Sequence, residues 1–130
     1  MLPLTTSPVL ICDDNRDITD SMSLVLEVAG FNVCKTYTGR DALSVAEATK
    51  PKVALLDIGL PDIDGYEVTR TIRAKEWAEN MLIVAITGYG TVDDKERAYE
   101  AGFNYHITKP LSEEQLDRLL DELEQRCGKA

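Results

Sequence analysis

Positive charge is scarce in this chain: 14 Lys and Arg stand against 23 Asp and Glu, for a net charge of -9. A field of that sign repels phosphate backbones and anionic lipid, which argues against direct nucleic-acid binding. Long apolar runs are missing too. No stretch approaches the roughly 20 residues needed to span a bilayer, and Met1 to Pro8 lacks both the basic and the apolar segment of a signal peptide. No membrane insertion is expected, and the expected location is cytoplasmic. Cysteine is sparse: Cys12, Cys34 and Cys127 are too scattered for a zinc or CxxC motif, and their odd number argues against a disulfide framework. Internal repeats and low-complexity tracts are absent, and the gaps between patterned segments are too short for a second domain. At 130 residues the chain fits one globular domain able to bury a real core.

Within that domain, strand-like and helical patterns alternate from end to end. Val9-Leu10-Ile11-Cys12 is followed by Ile18, Met22, Val25, Leu26 and Ala29 at helical spacing, with Gly30 as a left-handed stop. Asn32 to Tyr37 reads as a second strand. Thr38 is a candidate N-cap for a helix carrying Ala42, Leu43 and Ala46 inward and ending before Pro51. Val53-Ala54-Leu55-Leu56 is almost wholly apolar, as expected of a strand covered on both faces. Asp64 with Glu67 three residues later predicts a capped helix running through about Ala78. Leu82 to Ile86 is the fourth strand, and Thr91 with Asp94 starts a helix that stops at Gly102. Tyr105 to Thr108 is the fifth strand. Ser112 with Gln115 opens the last helix, whose Leu116, Leu119, Leu120 and Leu123 form an apolar stripe. Five strand–helix units of this kind predict an α/β fold, with a parallel sheet covered by helices on both faces.

The ends of the strands carry the chemistry. In open parallel sheets the ligand crevice lies beyond the carboxyl ends of the strands. The first strand runs into Asp13-Asp14, the third into Asp57, the fourth into Thr87-Gly88 and the fifth into Lys109-Pro110. Taken singly, an Asp at a strand end is usually a cap and a Lys-Pro usually a turn; jointly they describe a site. Clustered carboxylates favour a hard divalent cation such as Mg2+, which commonly uses one or two of them and keeps several waters. A cation, an ammonium and a hydroxyl around one carboxylate suit phosphoryl transfer onto that carboxylate.

At these residues the chain resembles a receiver domain of the two-component response regulator family. The resemblance runs from about Pro8 to Arg126, with residues 8–127 as the domain and residues 1–7 as a short N-terminal extension. It rests on Asp13-Asp14, on the segment from Leu56-Asp57-Ile58-Gly59 to Asp64-Gly65, on Thr87-Gly88 and on Lys109-Pro110. It implies a doubly wound, flavodoxin-like five-stranded sheet in the order 2-1-3-4-5, with phosphorylation of Asp57. Asp13, Asp14, Asp57 and the carbonyl of Gly59 would hold Mg2+; Thr87 and Lys109 would contact the phosphoryl group; Lys109-Pro110 would be cis. The implied partners are a histidine kinase or a histidine phosphotransfer domain, docked on the first helix through Ile18 and Met22 and on Pro110 and Leu111; a homodimer is possible.

One position departs from the common receiver pattern. His106 stands where most receivers carry the Phe or Tyr of the switch, with Tyr105 beside it, so Thr87 and His106 are the candidate switch pair. His106, together with Thr87-Gly88-Tyr89-Gly90 and Ala101-Gly102-Phe103, resembles receivers of hybrid sensor histidine kinases. The chain would then be a single-domain regulator or a piece of a longer protein. Three rival readings fit the residues less well. A haloacid-dehalogenase-like phosphatase would need a second Asp where Gly59 stands. An EF-hand built on Asp62-Ile63-Asp64-Gly65 would put Leu60 and Thr71 at ligand positions. A non-phosphorylated pseudo-receiver scaffold would normally have lost a key residue. Asp62 is assigned to the turn and not to the ion.

Overall fold

The structure is a computed structural model that describes residues 8–88 and 92–127. Strands β1 (Val9–Cys12), β2 (Val33–Thr36), β3 (Val53–Leu56), β4 (Leu82–Thr87) and β5 (Tyr105–Thr108) alternate with helices α1 (Arg16–Val28), α2 (Gly39–Thr49), α3 (Gly65–Arg73), α4 (Val92–Ala101) and α5 (Glu113–Cys127). The sheet is parallel throughout, in the order β2-β1-β3-β4-β5. The expected doubly wound α/β architecture is therefore the observed one. The proposed cap Thr91, together with Tyr89, Gly90 and residues 1–7, lies outside the described residues. Among those described, no helix is long and apolar enough to cross a membrane.

Alternation along the strands divides the core in two. Val9, Ile11, Val53, Leu55, Val84 and Ile86 face one way and meet Leu26 of α1 and Leu119 and Leu123 of α5. Leu10, Cys12, Ala54, Leu56, Ile83 and Ala85 face the other way and meet residues of α2, α3 and α4, among them Ala46, Ile72 and Ala98. Both faces of the three central strands are thus dry, which is why their sequences read as unbroken apolar runs. Cys12, Cys34 and Cys127 are free thiols.

Helix boundaries follow their caps. The Asn15 side chain accepts from the N–H groups of Asp17 and Ile18, Thr38 from Asp41, and Asp64 from Glu67. Ser112 and Gln115 cap each other reciprocally, at 3.0 and 3.1 Å. Gly30 and Gly102 take positive φ after α1 and α4, as helix stops do.

Two expectations are corrected. In α1 the run Ile18, Met22, Val25, Leu26 and Ala29 is only partly inward: Leu26 is buried together with Thr19 and Ser23; Ile18, Met22 and Ala29 are half-buried, and Val25 is 41% exposed. Two small hydroxyl side chains occupy the inward positions because each finds an acceptor, which a reading of apolar periodicity alone does not detect. Second, α3 ends at Arg73 and not near Ala78. The Arg73 guanidinium donates to the carbonyls of Gly102 (2.9 Å), Ala78 (2.9 Å) and Met81 (2.7 Å) and to Asn104 Oδ1 (2.6 Å). Residues 75–81 must fold back to bring two of those carbonyls to it, through an extended Lys75 and a short 3-10 turn at Glu76–Ala78.

Arg73 therefore holds the end of α3 to the start of β5. Arg73→Met, which keeps much of the apolar stem, should lower stability to urea by about 2–4 kcal/mol, because buried carbonyls lose a charged donor. A loss below about 0.5 kcal/mol, the range of ordinary surface substitutions, would show that those carbonyls find other donors.

Candidate functional site

Register carries the strand ends into one place. Cys12 pairs with Leu56, Leu56 with Ala85, and Thr87 with Thr108, so Asp13, Asp57, Thr87 and Lys109 emerge side by side at the carboxyl edge. Backbone bonds fix the exits: Asp57 N–H donates to the Cys12 carbonyl at 2.9 Å, and Lys109 N–H to the Thr87 carbonyl at 2.8 Å. Gly65 lets the chain after Asp57 fold close, since a Cβ there would lie 2.4 Å from the Asp57 carbonyl oxygen. The Lys109-Pro110 peptide is cis.

Asp13, Asp14 and Asp57 each offer a carboxylate oxygen, all within 4.8 Å of one another. Asp13 is buried, Asp57 is 9% exposed, and Asp14 is open to solvent. Lys109 Nζ lies 2.6 Å from Asp13 Oδ2 and 3.5 Å from Asp57 Oδ2. The second oxygen of Asp13 accepts from Asn15 N–H at 3.0 Å. Gly59 N–H donates to Asp57 Oδ1 at 3.3 Å, and Gly59 itself is exposed. Thr87 is fully buried at the end of β4, where its hydroxyl favours the ionised Asp57 carboxylate.

The electrostatics follow from this crowding. Burial pushes the Asp57 carboxyl above its ordinary value; Lys109 opposes that shift, Asp13 adds to it, and hydrogen bonds from Gly59 and Thr87 oppose it, with the balance upward. Burial would lower the Lys109 ammonium, but its hydrogen bond to Asp13 and the field of Asp57 outweigh that and raise it. Like charges about 5 Å apart repel by about 3 kcal/mol at an effective dielectric near 20. With three carboxylates around one ammonium, the donor set suits a hard divalent cation: oxygen ligands only, excess negative charge, and one side open to water.

Other expected residues lie elsewhere. Asp62 is remote from the cation ligands in role: its oxygens accept from Gly39 N–H at 2.8 Å and Arg40 N–H at 3.0 Å, capping α2 from a distant loop. Burial raises its pKa, but these and further backbone donors win and lower it to about 2. His106 sits on β5 opposite Ala85, half-buried, with both ring nitrogens shielded from water, whereas Tyr105 is 47% exposed. Ile18 and Met22 of α1 line an apolar groove of about 420 Å3 with Ile86, Pro110, Leu111 and Leu116. Gly59 places no acid–base group two residues after Asp57, as a dehalogenase-type phosphatase would need. Asn15 joins the site through its backbone N–H, which donates to Asp13 Oδ1, and an Asn directly before a helical run is its sequence signal as an N-cap.

Comparison with known proteins agrees with this geometry. The response regulator receiver domain profile matches residues 9–121. An uncharacterized 14.6 kDa protein of Leptolyngbya boryana is 31% identical over 122 residues, covering 94% of this chain and 93% of its own. The polar-differentiation response regulator DivK of Brucella ovis is 29% identical over 125 residues, covering 96% and 99%. Among solved structures, chemotaxis response regulator CheY4 of Vibrio cholerae superposes with a TM-score of 0.84 at 26% identity, covering 92% and 99%. The chain belongs to the response regulator receiver domain family, and it is a receiver of two-component signalling.

Because Asp57 has a folded-state pKa above its unfolded one, its ionisation opposes folding. That cost is absent below the unfolded value near 4 and complete above the folded value. Asp57→Asn should therefore raise the thermal midpoint at neutral pH in metal-free buffer by about 2–5 °C, and the gain should vanish in melts recorded at about pH 3. An unchanged midpoint at neutral pH would mean that Lys109 compensates the buried charge completely.

Proposed function

We propose that residues 8–127 form a cytoplasmic phosphoacceptor module in which Asp57 takes one phosphoryl group from a phosphohistidine. The observation that carries this is the convergence of Asp13, Asp14 and Asp57 oxygens within 4.8 Å, with Lys109 Nζ 3.5 Å from Asp57. An Asp57 carboxylate oxygen attacks phosphorus and forms an O–P bond; the N–P bond of the donor breaks, its electron pair stays on the imidazole nitrogen, and that nitrogen takes a proton. Asp13, Asp14, Asp57 and the Gly59 carbonyl would hold Mg2+, which when bound supplies positive charge for the phosphoryl oxygens. The protein's own groups do the rest. Lys109 already bridges Asp13 and Asp57, so an added phosphoryl oxygen can take over part of its pairing. The Thr87 hydroxyl at the end of β4 can turn its proton to the same oxygens. Exposed Gly59 leaves the donor an approach unobstructed by a side chain.

A displaced Thr87 hydroxyl changes what packs behind it, and His106 lies across the β4–β5 ladder from Ala85, two residues before Thr87. Thr87 and His106 are therefore the switch pair of this reading. Incubation with acetyl phosphate as a small donor tests the acceptor: mass spectrometry should show one added phosphoryl group in the wild type with Mg2+ present, and none in Asp57→Asn. Labelling of Asp57→Asn at the wild-type level would show that another residue accepts.

The groove on α1 and the start of α5 is the docking surface for the kinase or phosphotransfer domain in this reading. Its floor is apolar, Asp17 lies at its edge, and Lys109 borders it, so a helix laid there reaches the acceptor. Ile18 belongs to neither core cluster. Ile18→Ser should fold with a midpoint within a few degrees of wild type, and take phosphate from acetyl phosphate at the normal rate. From a phosphohistidine domain it should take phosphate about tenfold more slowly, as expected for loss of about 1.4 kcal/mol of contact. Equal slowing with both donors would place the defect in the site and not in docking.

A further inference from the structure

We propose that Thr19 is a positioning residue for the cation site, acting through the peptide that joins Asp13 to Asp14. The inference rests on the reading of Asp13, Asp14 and Asp57 as cation ligands. Thr19 is fully buried on the inner face of α1. A helical threonine ordinarily returns its hydroxyl to the carbonyl four residues back. That contact exists here, to Asn15 at 3.1 Å, but a shorter one of 2.8 Å leaves the helix and reaches the carbonyl oxygen of Asp13. The single hydroxyl proton is thus shared between the first turn of α1 and the loop that carries the acidic pair.

The consequence falls mainly on Asp14. The side chain of Asp13 is anchored independently, by Lys109 on one oxygen and by Asn15 N–H on the other. Asp14 is exposed, so packing does not fix its direction. Its carboxylate leaves the backbone in a direction set by the planar Asp13–Asp14 peptide, and the oxygen of that peptide is the atom Thr19 holds. Without the hydroxyl the peptide loses its buried donor and can rotate, and the oxygen of Asp14 no longer stays within 4.8 Å of its partners. Outer groups that orient metal ligands act in this way.

Valine has the shape of threonine without the donor, and serine keeps the donor, so the two substitutions separate hydrogen bond from packing. Ser23 is a matched control. It is 2% exposed on the same face one turn later, and donates to Glu27 and not to the acidic loop. Magnesium affinity is measured by titration calorimetry on the whole chain, with thermal melts to establish folding and amide NMR to follow Asp14.

Thr19→Val should weaken Mg2+ binding on the order of tenfold, the usual size for loss of a ligand-orienting partner. It should also shift the Asp14 amide resonance in metal-free protein and recover the wild-type labelling rate with acetyl phosphate at saturating Mg2+. Thr19→Ser should stay within about twofold of wild type. Thr19→Ala, read in the same way, should repeat the loss. Ser23→Ala should lower the melting midpoint and leave Mg2+ affinity unchanged. Folded Thr19→Val or Thr19→Ala protein with wild-type affinity overturns the proposal, as does Ser23→Ala weakening Mg2+ equally. Wild-type protein that binds no Mg2+ overturns the cation site itself, and this inference with it.

Discussion

Like charge gathered at the carboxyl edge of a buried sheet is the constraint on which the rest of the structure depends. Three carboxylates meet within 4.8 Å, and the ammonium of Lys109 is the compensating cation that contacts two of them. The arrangement stands because rigid neighbours impose it. Strands that are dry on both faces fix the exits of Asp13 and Asp57. Burial lifts the Asp57 carboxyl, and Lys109 holds back part of that lift. A site so arranged is unstable alone and receptive to added positive charge. Perturbed groups of this kind cluster at functional sites.

Several polar groups inside the scaffold have partners that tie two elements. Thr36 donates to the Ile11 carbonyl and joins β2 to β1. Arg73 ties α3 to the loops at the start of β4 and β5. Asp62 caps α2 across the turn that follows β3. These bonds fasten strands, helices and loops to one another. The loops can then carry strained charge without the fold giving way.

Much of the fold was legible in the chain itself because it rests on local signals. Unbroken apolar runs such as Val53-Ala54-Leu55-Leu56 mark central parallel strands, and caps such as Ser112 with Gln115 mark helix starts within a residue. The site was legible for the same reason: Asp13, Asp57, Thr87 and Lys109 each close a strand, and a parallel sheet brings strand ends together. The failures have a common cause. Apolar spacing singled out Ile18, Met22 and Val25 on α1, where Thr19 and Ser23 are buried with Leu26, and the helix opened by Asp64 and Glu67 stops at Arg73 instead of near Ala78. In each case a side-chain hydrogen bond outweighs the apolar pattern.

The sequence by itself determined that this is an alternating α/β domain and which residues close its strands, because those features depend on order along the chain. The tertiary structure decided which acid Lys109 holds more closely, how deeply Asp57 is buried, that Asp62 serves α2, and which face of α1 is left as an apolar groove. Those outcomes depend on distances and on water exclusion between residues far apart in sequence, quantities that exist only after the sheet has closed.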